Sequence, residues 1–290
     1  MQDAVATLLT TLDLERLEDD LFRGVSPDAG WQRVFGGQVV AQALVAAQRT
    51  VPDSRPVHSL HGTFLRPGDP AIPIVYSVIR LRDGGSFTTR NVTALQHGKA
   101  IFVLTASFQA LEEGFSHQIP MPEVAGPDDI DHAAWNRIIL EEAPEPVRRY
   151  WQRPRPVEFR PVSLDHYLSD RKLPPHQAIW VRLSRSVPAD PARDCAILAY
   201  LSDMTLLDTA LFAHGLSVFD KRVQAASLDH SMWFHRPVHL DDWLLYVQDS
   251  PSSSGGRGLT RGALFARDGT LIASVAQEGL IRPRKERPAQ

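Results

Sequence analysis

The chain has one cysteine, Cys195, among 290 residues, so no disulfide can form within it, and a reducing compartment suits it. It has little excess charge of either sign: 31 Lys and Arg stand against 34 Asp and Glu, a formal net charge of −3. That balance gives no electrostatic basis for nucleic acid or an anionic membrane as the main partner. No run of about 18 apolar residues occurs, which predicts no transmembrane helix and no membrane insertion. Residues 1–24 mix apolar positions with Asp13, Glu15, Glu18, Asp19 and Asp20 and lack a basic start and an apolar core segment. They read as a helix rather than a signal peptide. The final Arg287-Pro288-Ala289-Gln290 matches no peroxisomal address of the Ser-Lys-Leu type, so the expected location is cytoplasmic.

The composition is 43% hydrophobic, enough to bury a sizeable core, and the length suits two domains better than one. A repeat supports that division. Phe64-Leu65-Arg66-Pro67 is followed by Tyr76, Gly84-Gly85, Arg90 and His97-Gly98; Phe234-His235-Arg236-Pro237 is followed by Tyr246, Gly255-Gly256, Arg261 and Asp268-Gly269. Five landmarks in one order indicate one fold used twice, and positions that differ between the copies point to chemistry.

In the first half, residues 35–48 place Val40, Ala43, Leu44 and Ala47 on one helical stripe. Strands are predicted at 57–65, 72–82, 88–96 and 101–109, the last two joined by a tight His97-Gly98 hairpin. Residues 112–156 are rich in Pro, Glu and Asp, with one helix predicted at 133–142, and read as a linker. The second half repeats the pattern. Strands are predicted at 157–163 and 177–184, then a helix from Pro191 to His214, ended by Gly215, with Asp190 as N-cap. Further strands are predicted at 225–235, 243–249, 258–266 and 271–281. Each half is thus a long apolar helix against an antiparallel sheet.

On the second-half helix, three- and four-residue spacing sets Asp203 among Ala196, Tyr200, Leu207, Ala210 and Leu211. A carboxylate on an apolar stripe costs several kcal/mol unless paired or hydrogen-bonded, so it marks a site, an interdomain salt bridge or a polar patch at the rim. Asp208 and Asp220 show no such surroundings in the sequence. Alternation along 271–278 puts Gln277 on a face with small apolar residues, where its amide either holds a water or caps the strand edge. Period-two reading of 227–235 sets Ser227, Asp229, Ser231, Trp233 and His235 on one face, and His230 with Met232 and Phe234 on the other. Ser, His and Asp so close on a strand do not converge, there is no Gly-x-Ser-x-Gly elbow, and His230 and His235 diverge, which argues against a serine nucleophile or a metal site. Cys195 inside a helix reads as a packing residue. The Gly-rich stretches join strand to strand, unlike a dinucleotide or phosphate loop.

Several strings resemble the acyl-CoA thioesterase II family: Phe35-Gly-Gly-Gln38, His58-Ser-Leu-His61, Phe64-Leu-Arg-Pro-Gly-Asp69, Thr105-Ala-Ser-Phe-Gln109, Leu201-Ser-Asp203, Asp229-His-Ser-Met-Trp-Phe-His-Arg-Pro237 and Gln277-Glu-Gly279. The resemblance covers nearly the whole chain. It implies an α+β double hotdog, with an N-terminal hotdog domain at 1–111, a linker at 112–156 and a C-terminal domain at 157–290 that carries the site. It implies hydrolysis of medium- to long-chain acyl-CoA without metal or organic cofactor, by a homo-oligomer (dimer or tetramer). Carried over, the family's site falls on Asp203, Ser227 and Gln277, with Asp203 activating a water that the other two hold. Surface arginines beside the Gly-rich turns, Arg90, Arg257 and Arg261, are the candidates for CoA phosphates. In the first copy Val57 and Ala106 stand where the second has Ser227 and Gln277, and the first helix has no acid, so one working site is expected. His58 is the candidate for a group supplied across the domain interface. The alternatives are a non-catalytic acyl-CoA-binding regulator and a hotdog enoyl-CoA hydratase using Asp229 with His230.

Overall fold

The computed structural model describes residues 3–27 and 32–284; the Arg-Pro-Ala-Gln terminus lies outside them. The first half runs α1 (Ala4–Leu12), β1 (Glu15–Glu18), β2 (Leu21–Gly24), α2 (Gly36–Gln48), β3 (Val57–Phe64), β4 (Ile74–Asp83), β5 (Phe87–Gln96) and β6 (Lys99–Gln109). The linker holds α3 (His132–Glu142) and α4 (Glu145–Gln152). The second half runs β7 (Val157–Pro161), α5 (Asp165–Leu168), β8 (His176–Leu183), α6 (Pro191–Ser202), α7 (Thr209–Phe212), β9 (Val223–Ser227), β10 (Asp229–Phe234), β11 (Leu244–Ser254), β12 (Arg257–Ala266) and β13 (Leu271–Pro283).

The two halves share a single sheet of order β1-β2-β4-β5-β6-β3-β10-β13-β12-β11-β8-β7, with β9 pairing β13. It is symmetric about the β3–β10 pair, where His61 lies opposite Ser231. One core cluster takes residues from α2, α6 and both halves of the sheet, so the domains expected from the sequence are fused through main-chain pairing and a common interior. The repeated landmarks have matching jobs. Leu65 and Arg66 donate their N–H groups to Ile101 O, as His235 and Arg236 do to Ile272 O. Tyr76 and Tyr246 are both buried and anchor the helix above them, Tyr76 Oη donating to Gln42 Oε1 and Tyr246 Oη to Ser202 O, at 2.7 and 2.8 Å. His97 and Gly98, at φ 50° and 69°, form the mirror-image turn that suits a two-residue hairpin.

Four elements differ from the sequence expectation. The N-terminal helix stops at Leu12, and residues 15–24 form a hairpin whose second strand pairs β4. The tertiary partner overrides helical propensity there, with Phe22 buried on the core. The helix expected from 191 to 214 ends at Ser202, with Asp203 at its C-cap. The carbonyls freed by that break are met from the sheet: Tyr246 Oη serves Ser202 O and Gln177 Nε2 serves Thr205 O. The strand expected from 225 to 235 breaks at Leu228, between β9 and β10. Finally, the linker is no open connector, since Ile139 and Val147 of its helices and Ala143 between them pack on Leu164 and Tyr167.

Arg90 was expected at the surface and is instead fully buried. In register terms Arg90 opposes Ala106 in the first half as Thr260 opposes Gln277 in the second. Its guanidinium donates to Thr50 Oγ1 and Thr50 O just beyond the end of α2, to Arg82 O and Thr89 O, and to Asp83 at 2.6 Å. It therefore fills the place that corresponds to the second half's polar cluster and satisfies carbonyls there. Arg90→Leu is expected to lose about 2–4 kcal/mol, because several buried acceptors lose their donor at once. A urea midpoint equal to that of the parent protein would contradict this assignment.

Candidate active site

Asp203 sits where the C-terminus of α6 meets the N-terminus of α2. The approach is close: a Cβ on Gly36 would lie 2.7 Å from Asp203 Oδ2, and one on Gly37 would collide with the Tyr200 carbonyl. Only glycine at these two positions lets the helix start come so near. The Asp203 side chain is 5% exposed. Gln277 Nε2 donates to Asp203 Oδ1 at 2.6 Å and to Ser227 Oγ at 2.9 Å, and the Ser227 hydroxyl and the Gly37 N–H also bond the carboxylate. Both amide hydrogens of Gln277 are thereby committed. A flipped amide would set its oxygen against the carboxylate, so Oε1 must point the other way, where it is buried and meets no donor among the described residues.

The electrostatics follow. Removing a carboxylate from water costs several kcal/mol, and hydrogen bonds to a charged group return about 1.5–3 kcal/mol each. Burial wins: it lifts the Asp203 carboxyl to about 6, while the Gln277, Gly37 and Ser227 hydrogen bonds pull the other way. His230 Nδ1 lies 4.0 Å from Asp203 Oδ1, but burial pushes that imidazole down to about 4, so at neutral pH the two do not form an ion pair.

Ser227 reaches this cluster through a register shift. Along β10, Ser231 pairs Ala276, whereas along β9 Ser227 pairs Gly279, so one extra residue is accommodated at the break. The period-two reading set Ser227 opposite in face to His230; the bulge turns it to the same side as His230 and Gln277. Bulges commonly re-aim a side chain in this way. Asp229 stays on the other face, accepting Glu278 N at 2.7 Å, so the Asp229–His230 pair considered for a hydratase does not assemble.

The remaining candidates lie elsewhere. Arg257 and Arg261 are on the face of the sheet opposite Gln277, paired with Glu278 and Asp249. His58 Nε2 lies 2.8 Å from Ser107 Oγ, and Ser107 faces away from Ala106, the counterpart of Gln277. What the first half brings to Asp203 is the backbone of Gly36 and Gly37, which sequence reasoning missed; the Phe-Gly-Gly string opening a helix was its signal. Burial and Asp194 push the Cys195 thiol up to about 12, which leaves it protonated and unreactive. Asp208, given no apolar surroundings from the sequence, is half-buried near Tyr150 and Tyr167 and its carboxyl is also raised to about 6 by desolvation, with Val218 N as donor. The linker and α5 supply the cover that local sequence could not reveal.

Two helix-on-sheet halves joined by one continuous antiparallel sheet define a tandem hotdog fold. A hot dog fold protein from Alicyclobacillus acidocaldarius superposes with a TM-score of 0.77 over 96% of this chain and 98% of its own, at 20% identity, a likeness of fold alone. Family models described as acyl-CoA thioesterase and acyl-CoA thioesterase N-terminal domain match residues 148–280 and 26–109. Acyl-CoA thioesterase 2 of Haemophilus influenzae is 43% identical over 97% of this chain and 99% of its own length. Human acyl-coenzyme A thioesterase 8 is 40% identical over 98% and 92%. The crystal structure of an acyl-CoA thioesterase II from Mycobacterium marinum has a TM-score of 0.79 at 43% identity, covering 96% of this chain and 99% of that one. The chain belongs to the acyl-CoA thioesterase II family and is an acyl-CoA thioester hydrolase. No helix among the described residues is long and apolar enough to cross a membrane.

An acid whose pKa is higher in the folded than in the unfolded state stabilises the fold at low pH and loses that contribution as pH rises through the folded value. Asp203→Asn removes this dependence. Its Tm relative to the parent protein is therefore expected to climb between about pH 4 and pH 7, where the raised carboxyl ionises. A Tm difference that is flat across this range would show that Asp203 titrates normally.

Proposed function

We propose that the protein hydrolyses medium- to long-chain acyl-CoA to the free acid and CoA by a water that Asp203 deprotonates and that Gln277 and Ser227 hold. The observation that carries this is the Gln277 amide. Its hydrogens are fixed on Asp203 and Ser227 while its buried Oε1 remains an acceptor. A water donating one hydrogen to that oxygen and the other to the carboxylate has its lone pair free for a thioester carbonyl carbon. Asp203 takes the proton as the C–O bond forms; the C–S bond then breaks and the proton passes to the departing thiolate. A carboxyl raised to about 6 is a better base than an ordinary aspartate and is still ionised at pH 7. The positive end of α2, beside the carboxylate, is the natural place for the developing oxyanion. The medium- to long-chain preference rests on the family resemblance.

Purified protein is expected to release CoA thiol in the presence of a chelator, and kcat should fall as pH drops through about 6. Asp203→Asn should lower kcat by roughly 10²-fold or more, and Ser227→Ala or Gln277→Ala by about 10- to 10³-fold. Near-parental turnover in folded Asp203→Asn would dismiss it as the base. A panel of acyl lengths should give kcat/KM rising from acetyl to medium and long chains, and a maximum at acetyl would overturn the substrate reading.

Gly36→Ala tests the geometry. The added methyl meets Asp203 Oδ2 at 2.7 Å and Phe64 at 3.1 Å, so the carboxylate must move. A loss of at least about 10-fold in kcat is expected; a fully active variant would show that the carboxylate position is not critical.

A further inference from the structure

We propose that His230 is a positioning residue for Asp203, its unprotonated Nδ1 facing the carboxylate so as to receive a hydrogen bond from Asp203 once that group has been protonated. The inference rests on the reading of Asp203 as the base. Three observations carry it. His230 is fully buried, its Nε2 lies 2.8 Å from Ser202 Oγ, and its Nδ1 has no partner. The Ser202 hydroxyl spends its single hydrogen on Ala199 O at 2.9 Å, so toward His230 it accepts, and Nε2 carries the ring proton. Nδ1 is then a bare acceptor, 4.0 Å from Asp203 Oδ1.

The neutral ring fits this assignment, since burial holds the imidazole well below its ordinary range. A lone pair directed at an ionised carboxylate disfavours the ion, and the same lone pair stabilises the carboxylic acid through O–H···N. Both effects favour the state Asp203 reaches when it has taken the water's proton. A closer approach of about 1 Å completes the hydrogen bond. Among the described residues packed against His230 no other ionisable group competes. Along β3, Gly62 lies opposite His230 and Leu60 beside it; β13 presents Gln277; β11 presents Tyr246, whose hydroxyl is held on Ser202 O and whose pKa lies well above its usual value. On α6 the ionisable neighbour of Asp203 is Tyr200, pushed up to about 12 by burial, and α2 carries no charged side chain. The other half makes the same point by omission: Leu60 stands 170 positions before His230, in a half whose helix α2 carries no acid.

Two isosteric variants separate the ring's two nitrogens. His230→Gln places an amide nitrogen where Nε2 was and can keep the Ser202 contact, but has nothing at the Nδ1 position. His230→Asn offers an oxygen acceptor near the Nδ1 position and gives up Ser202. In pH profiles of kcat, His230→Gln is expected to lose about 10-fold and to shift the acid limb to lower pH by about one unit, with KM within about twofold. His230→Asn should keep the acid limb of the parent protein, even if its Tm falls. A folded His230→Gln with unchanged kcat and acid limb overturns the proposal, as does a pair of variants that lose kcat alike without moving the limb. If neither variant folds, nitrogen-15 NMR of histidine in the unmutated protein decides: a bare Nδ1 supports the assignment and a protonated Nδ1 overturns it. Loss of activity in Asp203→Asn alongside parental behaviour of His230→Gln would sink this inference and leave the proposed function standing, whereas full activity in Asp203→Asn would remove both.

Discussion

A carboxylate held out of water at the junction of two helix ends is the constraint around which this molecule is arranged. Asp203 stays buried only because an amide, a hydroxyl and a backbone N–H are aimed at it. Each donor depends on a different structural device. Gln277 needs the inward face of β13, Ser227 needs the bulge between β9 and β10, and Gly37 needs a helix start without a side chain in the way. Three hydrogen bonds offset much of the desolvation but not all of it, and the remainder is the raised pKa that the proposed chemistry uses.

Duplication supplies the frame, and divergence between the copies decides where polar groups lie. Both halves anchor a helix by a buried tyrosine and tie an Arg-Pro turn to the neighbouring strand. In the second half the inner surface near the helix C-terminus holds Gln277, His230 and Asp203. The first half has Ala106 and Leu60 where the second has Gln277 and His230, and Arg90, the counterpart of Thr260, spends its guanidinium donors on the Thr50 hydroxyl, backbone carbonyls and Asp83. One half is thereby closed by an internal cation, while the other keeps acceptors in reserve. The first half still takes part, since the start of α2 forms one wall beside Asp203.

Much of the fold was legible in the sequence because periodicity and turn chemistry are local. The helix at 36–48, the four strands after it and the His97-Gly98 turn lie within a residue or two of expectation. What was not legible is what distant partners impose. The end of α6 at Ser202 is fixed by Tyr246 and Gln177 on the sheet, and the hairpin at 15–24 by β4. The positions of Asp203 and Gln277 stood out as polar residues on apolar stripes. Ser227 did not, because a one-residue bulge changes its face, and of the arginines beside the Gly-rich turns only Arg90 departs from its expected surface position, because sequence spacing cannot distinguish a buried cation from exposed ones such as Arg257 and Arg261.

The central claim is that Asp203 acts as a base on water and does not itself attack the thioester. A single turnover with enzyme in excess, run in water labelled with heavy oxygen, tests it most directly by mass spectrometry of the product acid and of the peptide containing Asp203. The account predicts label in the free acid and none in the Asp203 carboxylate. Label in that carboxylate would reveal an anhydride between enzyme and acyl group and would contradict it.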